Sequence, residues 1–246
     1  MSRLGRLRAE SRVAALAFLR RRTAVFFTFF FPLIIVVIFG VLVETQPGGG
    51  GLFTEPPAYY APGYLAVVVL FTPLSRVGSE VARHRDGNRF EKLATTPLTR
   101  PEWLLAQTLV NVAIIGLAGV VLLGLMVVLT GASIRPSPLL VPFVALGVGL
   151  FCGVGAMIGA LADSQDGVIS ASNGIALPLL FLSETFVPPS MLPAWLPTGL
   201  SPLTYFSRGV RAATTGGEGA LWSLAVLAGC AVVGFLFGAA LLPRTD

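Results

Sequence analysis

The sequence is poor in charge and in the side chains on which most enzyme chemistry depends. Only 12% of its 246 residues are Asp, Glu, Lys or Arg, whereas soluble domains carry about 25%. Histidine occurs once, as His84, and cysteine twice, as Cys152 and Cys230. Neither cysteine has the spacing of a metal or redox motif, so we interpret both as small packed residues. The low charge, together with 54% hydrophobic residues, predicts a membrane protein.

Several motifs of catalysis and ion coupling are also missing. The sequence contains no phosphate-binding G-x-x-x-x-G-K-[ST] loop, no G-x-S-x-G and no H-E-x-x-H. No acidic residue lies in the middle of an apolar run, where ion-coupled carriers place ionisable groups. Glu44, Glu80 and Glu184 lie near the ends of such runs. Solvation at the membrane surface is the simplest interpretation, although Glu184 is also a candidate contact for cargo or a gate. These absences argue against an ATPase, a secondary transporter and an intramembrane enzyme.

Six apolar runs are long enough to be membrane spans. They occupy residues 23–43, 59–77, 103–130, 139–161, 168–187 and 220–242. The first would extend about 31 Å as an α-helix and cross a hydrocarbon core of about 30 Å. An even number of spans places both termini on one side of the membrane. We therefore expect an all-α membrane protein with six transmembrane helices, forming a single domain over residues 1–246.

The basic residues predict which side that is. Fourteen of the seventeen Lys and Arg residues lie at the termini, between the second and third spans, or, for Arg76, at the end of the second span. Only Arg135, Arg208 and Arg211 fall in segments on the other side. Cytoplasmic loops carry the excess of Lys and Arg, so both termini are predicted to be cytoplasmic. The net charge of +5 follows this topology and does not indicate binding to nucleic acid.

Residues 1–22 form a basic segment in which apolar residues recur at roughly helical spacing. Such a segment directly before a span predicts an amphipathic helix lying on the membrane surface. A plain cytoplasmic anchor and an arm that binds nucleic acid are the alternatives. Small residues one helical turn apart in the fourth and sixth spans predict close helix packing, within or between subunits. They are Gly149/Gly153, Gly155/Gly159 and Gly234/Gly238.

A polar stretch, Ser79–Gln107, separates the second and third spans. Asp86, Gly87 and Asn88 indicate a turn. Asn88 is suited to the N-cap of a following helix, with Glu91 at the third helical position in a capping-box arrangement. We expect this helix to cover residues 89–96 and to stop before Pro97.

Phe90, Leu93 and Ala94 would share one face of this helix. Two turns of helix are unstable alone in water, so an exposed apolar face would need a groove in a partner. The alternative is that the face packs against the membrane interface of its own chain. Trp103, at the start of the third span, is predicted to be an interfacial anchor.

These residues resemble the cytosolic coupling loop of type-2 ABC transporter permeases. That loop has a charged stretch, a glycine, a helix with a glutamate, and then L-x-x-T/S-P-hydrophobic-S/T-R. This chain has Gly87, Glu91, Leu93, Thr96, Pro97, Leu98, Thr99 and Arg100 in that order, with Asn88 where Thr or Ser is more usual. The resemblance implies that an ATPase contacts the helix and its flanks. The implied contact residues are Arg85, Asp86, Gly87, Asn88, Arg89, Phe90, Glu91, Leu93, Ala94 and Pro97.

The stretch Phe181–Ala213 is similar to the proline-rich outer segment that follows the fifth span in that family. We expect a short amphipathic helix at residues 191–196 and a second helix with Ser201 as its cap and Pro202 at its first position. The resemblance implies re-entrant helices and a gate on the outer side. The implied residues are Glu184, Pro188, Trp195, Pro202, Tyr205 and Arg208.

The resemblance implies the transmembrane subunit of an ATP-driven exporter in the cytoplasmic membrane of a prokaryote. Two permease chains, expected to be a homodimer surrounded by lipid, would work with two cytosolic ATPase subunits. ATP and Mg would be bound by those partners, so this chain would hold no cofactor or metal and would not be an enzyme. The compact outer segment resembles the branch that exports drugs and antibiotics. Exporters of polysaccharide or lipid-linked glycan are the alternative, and an ATP-independent channel or secondary carrier is a second one.

Overall fold

A computed structural model describes residues 2–38, 55–193 and 195–243. The described residues form helices and connecting turns, and they include no β-strand. The helices are α1 (Arg3–Leu19), α2 (Arg22–Val37), α3 (Pro57–Asp86), α4 (Arg89–Ala94), α5 (Arg100–Thr130), α6 (Leu140–Leu161), α7 (Gln165–Phe181), α8 (Pro202–Thr215) and α9 (Ala220–Leu241). Two short 3-10 turns, Pro189–Met191 and Thr198–Leu200, precede α8.

Four of the described helices, α3, α5, α6 and α9, are long and apolar enough to cross a membrane. Helix α2 is apolar but has 16 residues, and residues 39–43 of the predicted first span lie outside the described part of the chain. Helix α7 has 17 residues and would extend about 25 Å. The expected all-α membrane architecture is confirmed, whereas the count of six spans stays a prediction.

The fifth predicted span ends earlier than expected. The pattern predicted residues 168–187, but α7 stops at Phe181 and the next four residues form turns. The Ser183 hydroxyl donates to the Leu180 carbonyl oxygen at 2.7 Å. This side chain satisfies a carbonyl that the ending helix leaves without a partner. The apolar residues that follow therefore do not continue this helix.

Helix α3 lies at the centre of the fold and is longer than its apolar run. All residues from Tyr60 to Leu70 are buried, so the helix is surrounded on every side in this part. Its last turns continue past the predicted end at Val77 to Asp86. The first part of the polar stretch is therefore helical, and basic residues in its final turn interact favourably with the negative end of the helix dipole.

Glycines bring α6 close to two other helices. A Cβ at Gly159 would lie 2.3 Å from the Gly78 carbonyl oxygen of α3, and one at Gly153 would lie 2.3 Å from the Gly234 carbonyl oxygen of α9. Real Cβ atoms essentially never approach other atoms that closely. Backbone therefore packs on backbone along both faces of α6, as the small-residue spacing predicts. Gly149 is different, since the atom nearest to a Cβ at this position would be the Thr108 methyl group, 3.8 Å away.

Helix α1 confirms the predicted N-terminal helix and is tied to the start of α5. Arg6 Nη2 donates to Glu102 Oε1 at 2.6 Å, and this bond raises the pKa of Arg6. Glu102 also completes a capping box with Thr99 at the N-terminus of α5. Placement of α1 on the membrane surface stays a prediction, with Leu4, Val13 and Leu19 exposed as it requires.

Candidate functional site: the coupling segment and the outer cluster

The coupling segment, residues 85–97, begins with the predicted turn. Helix α3 ends at Asp86, Gly87 follows as its C-cap, and Asn88 takes a left-handed backbone conformation with φ of 50°. Asparagine tolerates this conformation better than most residues. Asn88 occupies the N-cap position of α4, but its side chain makes no capping hydrogen bond. The predicted capping box with Glu91 is therefore wrong, because the left-handed turn that reverses the chain replaces the extended backbone of an ordinary N-cap.

Helix α4 is shorter than predicted and ends at Ala94 instead of residue 96. The hydroxyls of Thr95 and Thr96 donate to the carbonyl oxygens of Lys92 and Leu93 at 2.8 and 2.6 Å. These bonds satisfy the last helical carbonyls and turn the chain toward the exposed Pro97. The side chain of Ala94, which we assigned to the apolar face, lies outside the described part of the structure.

Phe90 packs inside its own chain and is only 8% exposed. Its ring centroid lies 5.4 Å from that of His84 on α3 and 5.4 Å from that of Trp103 on α5. Both partners bring apolar surface from neighbouring helices, so the ring fills the space between them. The prediction of an exposed Phe–Leu face is therefore wrong for Phe90, and Leu93 is also partly covered. Trp103, expected as an interfacial anchor, is 1% exposed and belongs to this aromatic cluster.

The opposite face of α4 is charged and open. Arg89, Glu91 and Lys92 are all exposed, as is Asp86 in the preceding turn. Beside α4 lies a cleft of about 640 Å³ that Leu93 and Leu98 share with Leu236 at the end of α9. The coupling segment therefore offers a charged surface next to an apolar recess, while Phe90 fixes it to the helices below.

Two arginines connect this region to the ends of other helices. Arg85 donates to the carbonyl oxygens of Ala160, at 3.1 Å, and Ala162, both at the end of α6. Arg100 donates to the Leu242 carbonyl oxygen at the end of α9, at 3.1 Å. Carbonyls at helix C-termini have no partner within the helix and favour cations. The coupling segment and its flanks thus hold the ends of α3, α5, α6 and α9 together.

Sequence reasoning missed a charged group in the last turns of α3. Glu80 accepts hydrogen bonds from Arg83 and, at 3.4 Å, from Arg21 in front of α2. The His84 ring nitrogen lies 2.9 Å from the Glu80 carbonyl oxygen. The nearer partner, Arg83, lies three residues away on the same helix, so helical spacing could have indicated it. Arg21 is 59 residues away in sequence, and only the packing of α2 on α3 brings it close.

A second missed group lies one turn earlier on α3. Arg76 Nη1 donates to Asn111 Oδ1 of α5 at 3.0 Å, and Asn111 Nδ2 donates to the Gln107 carbonyl oxygen at 2.8 Å. The Arg76 guanidinium also lies 4.6 Å from the ring centroid of Phe18 in α1, within the range of a cation–π contact. Arg76 lies near the end of the apolar run 59–77, and its position in the sequence does not indicate a partner on another helix.

On the predicted outer side, Glu184 is 3% exposed and forms an ion pair. Arg208 Nε donates to Glu184 Oε2 at 2.6 Å, Arg208 Nη2 donates to Oε1, and Thr198 Oγ1 donates to Oε1 at 3.0 Å. Burial raises the pKa of Glu184, but these hydrogen bonds outweigh burial and bring the pKa below its ordinary value of 4.5. Interfacial solvation is therefore the wrong interpretation of this carboxylate.

Arg211 completes this outer cluster, which we define as Tyr59, Glu184, Thr198, Arg208 and Arg211. Its guanidinium lies 3.8 Å from the Tyr59 ring centroid, and Nη2 donates to the Glu184 carbonyl oxygen at 3.2 Å. The cluster therefore joins the start of α3, the turns after α7 and the middle of α8.

The remaining predicted outer residues lie around this cluster. Pro202 is the first residue of α8 as predicted, and Ser201 precedes it, but the Ser201 hydroxyl donates to the Leu179 carbonyl oxygen and does not cap α8. The expected helix at residues 191–196 is not formed, because only the short turn Pro189–Met191 is helical and prolines interrupt the segment. Pro188 is buried, Tyr205 is partly buried, and Trp195 is 80% exposed.

The described residues contain no group of three or more His, Cys, Asp or Glu side chains that could hold a metal ion. Both described cysteines are free thiols, Cys152 buried and Cys230 partly buried. The polar clusters found on α3, α5 and α8 thus consist of arginines with a carboxylate or an amide. Such groups bind anions or fix helices.

Comparison with known proteins connects this arrangement to a family. The sequence profile of the ABC-2 type transporter family matches residues 7–214, from α1 to the end of α8. A search of curated proteins gives no match. The matched region contains the coupling segment, the outer cluster and three of the four long apolar helices. The chain therefore belongs to the ABC-2 type transporter family and is a multi-pass transmembrane component of an ABC transporter.

Proposed function

We propose that this chain is the permease of an ATP-driven exporter and that a separate cytosolic ATPase contacts its coupling segment. The observation that carries the proposal is the two-sided character of α4. Arg89, Glu91 and Lys92 are exposed, whereas Phe90 is buried between α3 and α5. A partner that binds the charged face would therefore move a helix that Phe90 attaches firmly to α3 and α5.

The contacts around α4 suggest how force enters the helices. Displacement of α4 would move Phe90 against His84 and Trp103, so α3 and α5 would follow. Arg85 and Arg100 connect the same region to the ends of α6 and α9. Because packed interfaces switch between discrete arrangements and do not deform continuously, closure of the ATPases would tilt the helices together and open a path between two permeases.

Catalysis in this proposal belongs to the partner. The sequence has no phosphate-binding loop, so ATP and Mg would be bound by two copies of the ATPase. Two copies of this chain would form the path as a homodimer in the cytoplasmic membrane of a prokaryote. The excess of Lys and Arg in the termini and the coupling region supports cytoplasmic placement of both.

The cargo we propose is a hydrophobic or amphipathic compound such as a drug, an antibiotic or a lipid-like molecule. The support is the apolar character of the long helices and the compact outer segment between α7 and α8. A glycan exporter remains the alternative within the family. Transport by reconstituted permease and ATPase against a panel of compounds distinguishes them, and transport without ATP would instead favour a channel or secondary carrier.

Charge reversal on α4 tests the coupling assignment. Glu91→Lys changes an exposed residue, so the permease should fold and insert normally but retain at least tenfold less ATPase when it is co-purified with its partner ATPase. The matched control is Glu218→Lys, the same change at an exposed residue on the predicted outer side, which should retain the ATPase fully. We also expect Leu93→Asp to abolish association while insertion persists. Full ATPase recovery with Glu91→Lys and Leu93→Asp would refute the assignment.

A further inference from the structure

A second cleft, of about 460 Å³, lies between α2 and α3 beside α1. Three arginines, Arg21, Arg76 and Arg83, line one part of it, and three aromatic residues of α2 and α3 line another. Those aromatic residues are Phe27, Phe31 and Phe71. We call this feature the α2–α3 cleft. It is separate from the coupling segment and from the outer cluster.

The basic part of the cleft carries more positive charge than its neighbours neutralise. Glu80 is the carboxylate that pairs with Arg83 and, more distantly, with Arg21. Arg76 is paired with an amide, Asn111, and not with an acid. Glu10 lies in an adjoining hollow that Arg21, Arg76 and Glu80 also line. Arg20 and Arg22 line a second, open hollow that also includes Arg21. Five arginines therefore lie near two carboxylates, and the region keeps a surplus of positive charge.

The hydrogen-bonding capacity of these arginines is also incompletely used. The Nε of Arg83 is buried and has no acceptor in the described part of the chain. A guanidinium has five N–H donors, and Arg76 gives one of its donors to Asn111. Arg83 Nε is itself inaccessible from the cleft, but the side chains of Arg21 and Arg83 are 43% and 26% exposed. Guanidinium donors that face the cleft favour an anion with several acceptor oxygens, such as a phosphate.

The aromatic part of the cleft has the length of one membrane leaflet. Along α2, Phe27 and Phe31 lie about 9 and 15 Å from Arg21 at the helical rise of 1.5 Å per residue. Half of a hydrocarbon core is about 15 Å. Their rings are 57% and 49% exposed, so they offer an apolar surface that begins at the arginines and extends toward the membrane centre.

We propose that the α2–α3 cleft binds one anionic phospholipid from the leaflet on the side of α1. The phosphate contacts Arg21, Arg76 and Arg83, and an acyl chain lies along Phe27 and Phe31. Basic pockets between transmembrane helices on the cytoplasmic side are suited to anionic head groups. A neutral or cationic amphiphile would leave the surplus charge uncompensated. The site goes beyond the proposed export function and does not depend on the ATPase.

Binding can be measured by native mass spectrometry of the purified chain in mild detergent. The probe is an equal mixture of phosphatidylglycerol and phosphatidylcholine with identical acyl chains. We expect the wild type to retain about one phosphatidylglycerol per chain. Arg21→Gln should retain about fivefold less phosphatidylglycerol, because one basic residue near an anionic head group contributes a factor of about this size. Arg83→Gln should give a similar loss. Arg12→Gln is the matched control, because Arg12 is exposed on α1 and does not line the cleft.

A third variant separates the acyl contact from the charge contact. Phe31→Ala removes an exposed ring. It should weaken the binding of long-chain phosphatidylglycerol and leave the binding of a short-chain analogue unchanged. Equal retention of the two head groups, or equal loss in Arg21→Gln and Arg12→Gln, would overturn the proposal. So would efficient cross-linking of Phe31→Cys between two chains with no lipid retained, because a second permease would then cover the cleft. These results leave ATPase association with α4, measured separately, unaffected.

Discussion

Replacing Gly153 by alanine tests whether backbone contact between α6 and α9 holds this fold together. The new Cβ would lie 2.3 Å from the Gly234 carbonyl oxygen and 2.8 Å from the Phe235 backbone nitrogen. Ordinary contacts of a Cβ begin at 3.4 Å. Backbone atoms on both sides prevent relief by a side-chain rotation, so the two helices must move apart by about 1 Å.

That displacement has a calculable cost. Overpacking a well-packed core costs about 1–3 kcal/mol, since separation by 0.5–1 Å forfeits about a quarter to a half of each dispersion contact along the interface. Alanine is better than glycine inside a helix by about 1 kcal/mol, which offsets part of this loss. The gain in helix propensity is the same wherever the substitution is made, so a control in the same helix removes it from the comparison.

Gly149→Ala is that control. It lies one turn earlier in α6, and its nearest neighbour, a methyl group of Thr108, would be 3.8 Å from the new Cβ. We expect Gly149→Ala to be neutral or to stabilise by up to about 1 kcal/mol. The difference between the two variants should therefore equal the packing cost of about 1–3 kcal/mol.

Thermal unfolding of the purified variants in detergent, followed by fluorescence-detected size exclusion, measures this difference. The net cost of Gly153→Ala is about 0–2 kcal/mol after the gain in helix propensity. Gly153→Ala should therefore unfold at or up to several degrees below the wild type, Gly149→Ala at or above it, and the two variants should differ by several degrees. Equal unfolding temperatures for the two variants would refute the argument that backbone contact at Gly153 sets the distance between α6 and α9. Destabilisation by Gly149→Ala would show that Gly149, which has room for a Cβ within its own chain, is packed against something else, for example a second chain.

Two further predictions concern the polar end regions. Glu184→Gln should lower the unfolding temperature at pH about 6, where the wild-type carboxylate is ionised and paired with Arg208. The pKa of Glu184 is lowered in the folded state, so its stabilising contribution is present above pH 4.5 and is lost as the pH falls below that value. The variant lacks this contribution, so its unfolding temperature should fall less than that of the wild type toward pH about 4. An unchanged pH profile would contradict the ion pair with Arg208. Phe90→Ala should destabilise the packing of α4 by about 3 kcal/mol, the lower end of the cost of truncating a buried Phe. It should also make residues 88–96 sensitive to protease. Lys92→Ala changes an exposed residue and should alter stability by less than about 0.5 kcal/mol. Equal protease sensitivity in both variants would argue against Phe90 as the anchor of α4.

The burial of Phe90 determines how firmly α4 is attached to the rest of the chain. An exposed apolar face would have made α4 a loose peptide that gains structure only on binding its partner. Burial of Phe90 instead holds the segment in place before any partner arrives, so the partner does not have to offset the cost of ordering it. In the proposed function, the charged residues would determine which ATPase binds, and the aromatic cluster would transmit the displacement.

The sequence alone determined the features that depend on composition and on near neighbours in the chain. Low charge and long apolar runs fixed an all-α membrane protein. Asp86, Gly87 and Asn88 placed the turn before α4, Pro202 placed the start of α8, and glycine spacing indicated close packing. Each of these signals acts within a few residues, where backbone conformation and helical periodicity are decided.

Only the tertiary structure decided which side chains meet. It turned Phe90 inward, placed Trp103 beside it, paired Glu184 with Arg208 from 24 residues away, and showed that Gly153 is packed while Gly149 is open. A helical pattern says which residues share a face, but several faces of these helices are apolar. The neighbour that each face meets depends on how the helices pack, and hydrophobic burial alone has no direction that could select it.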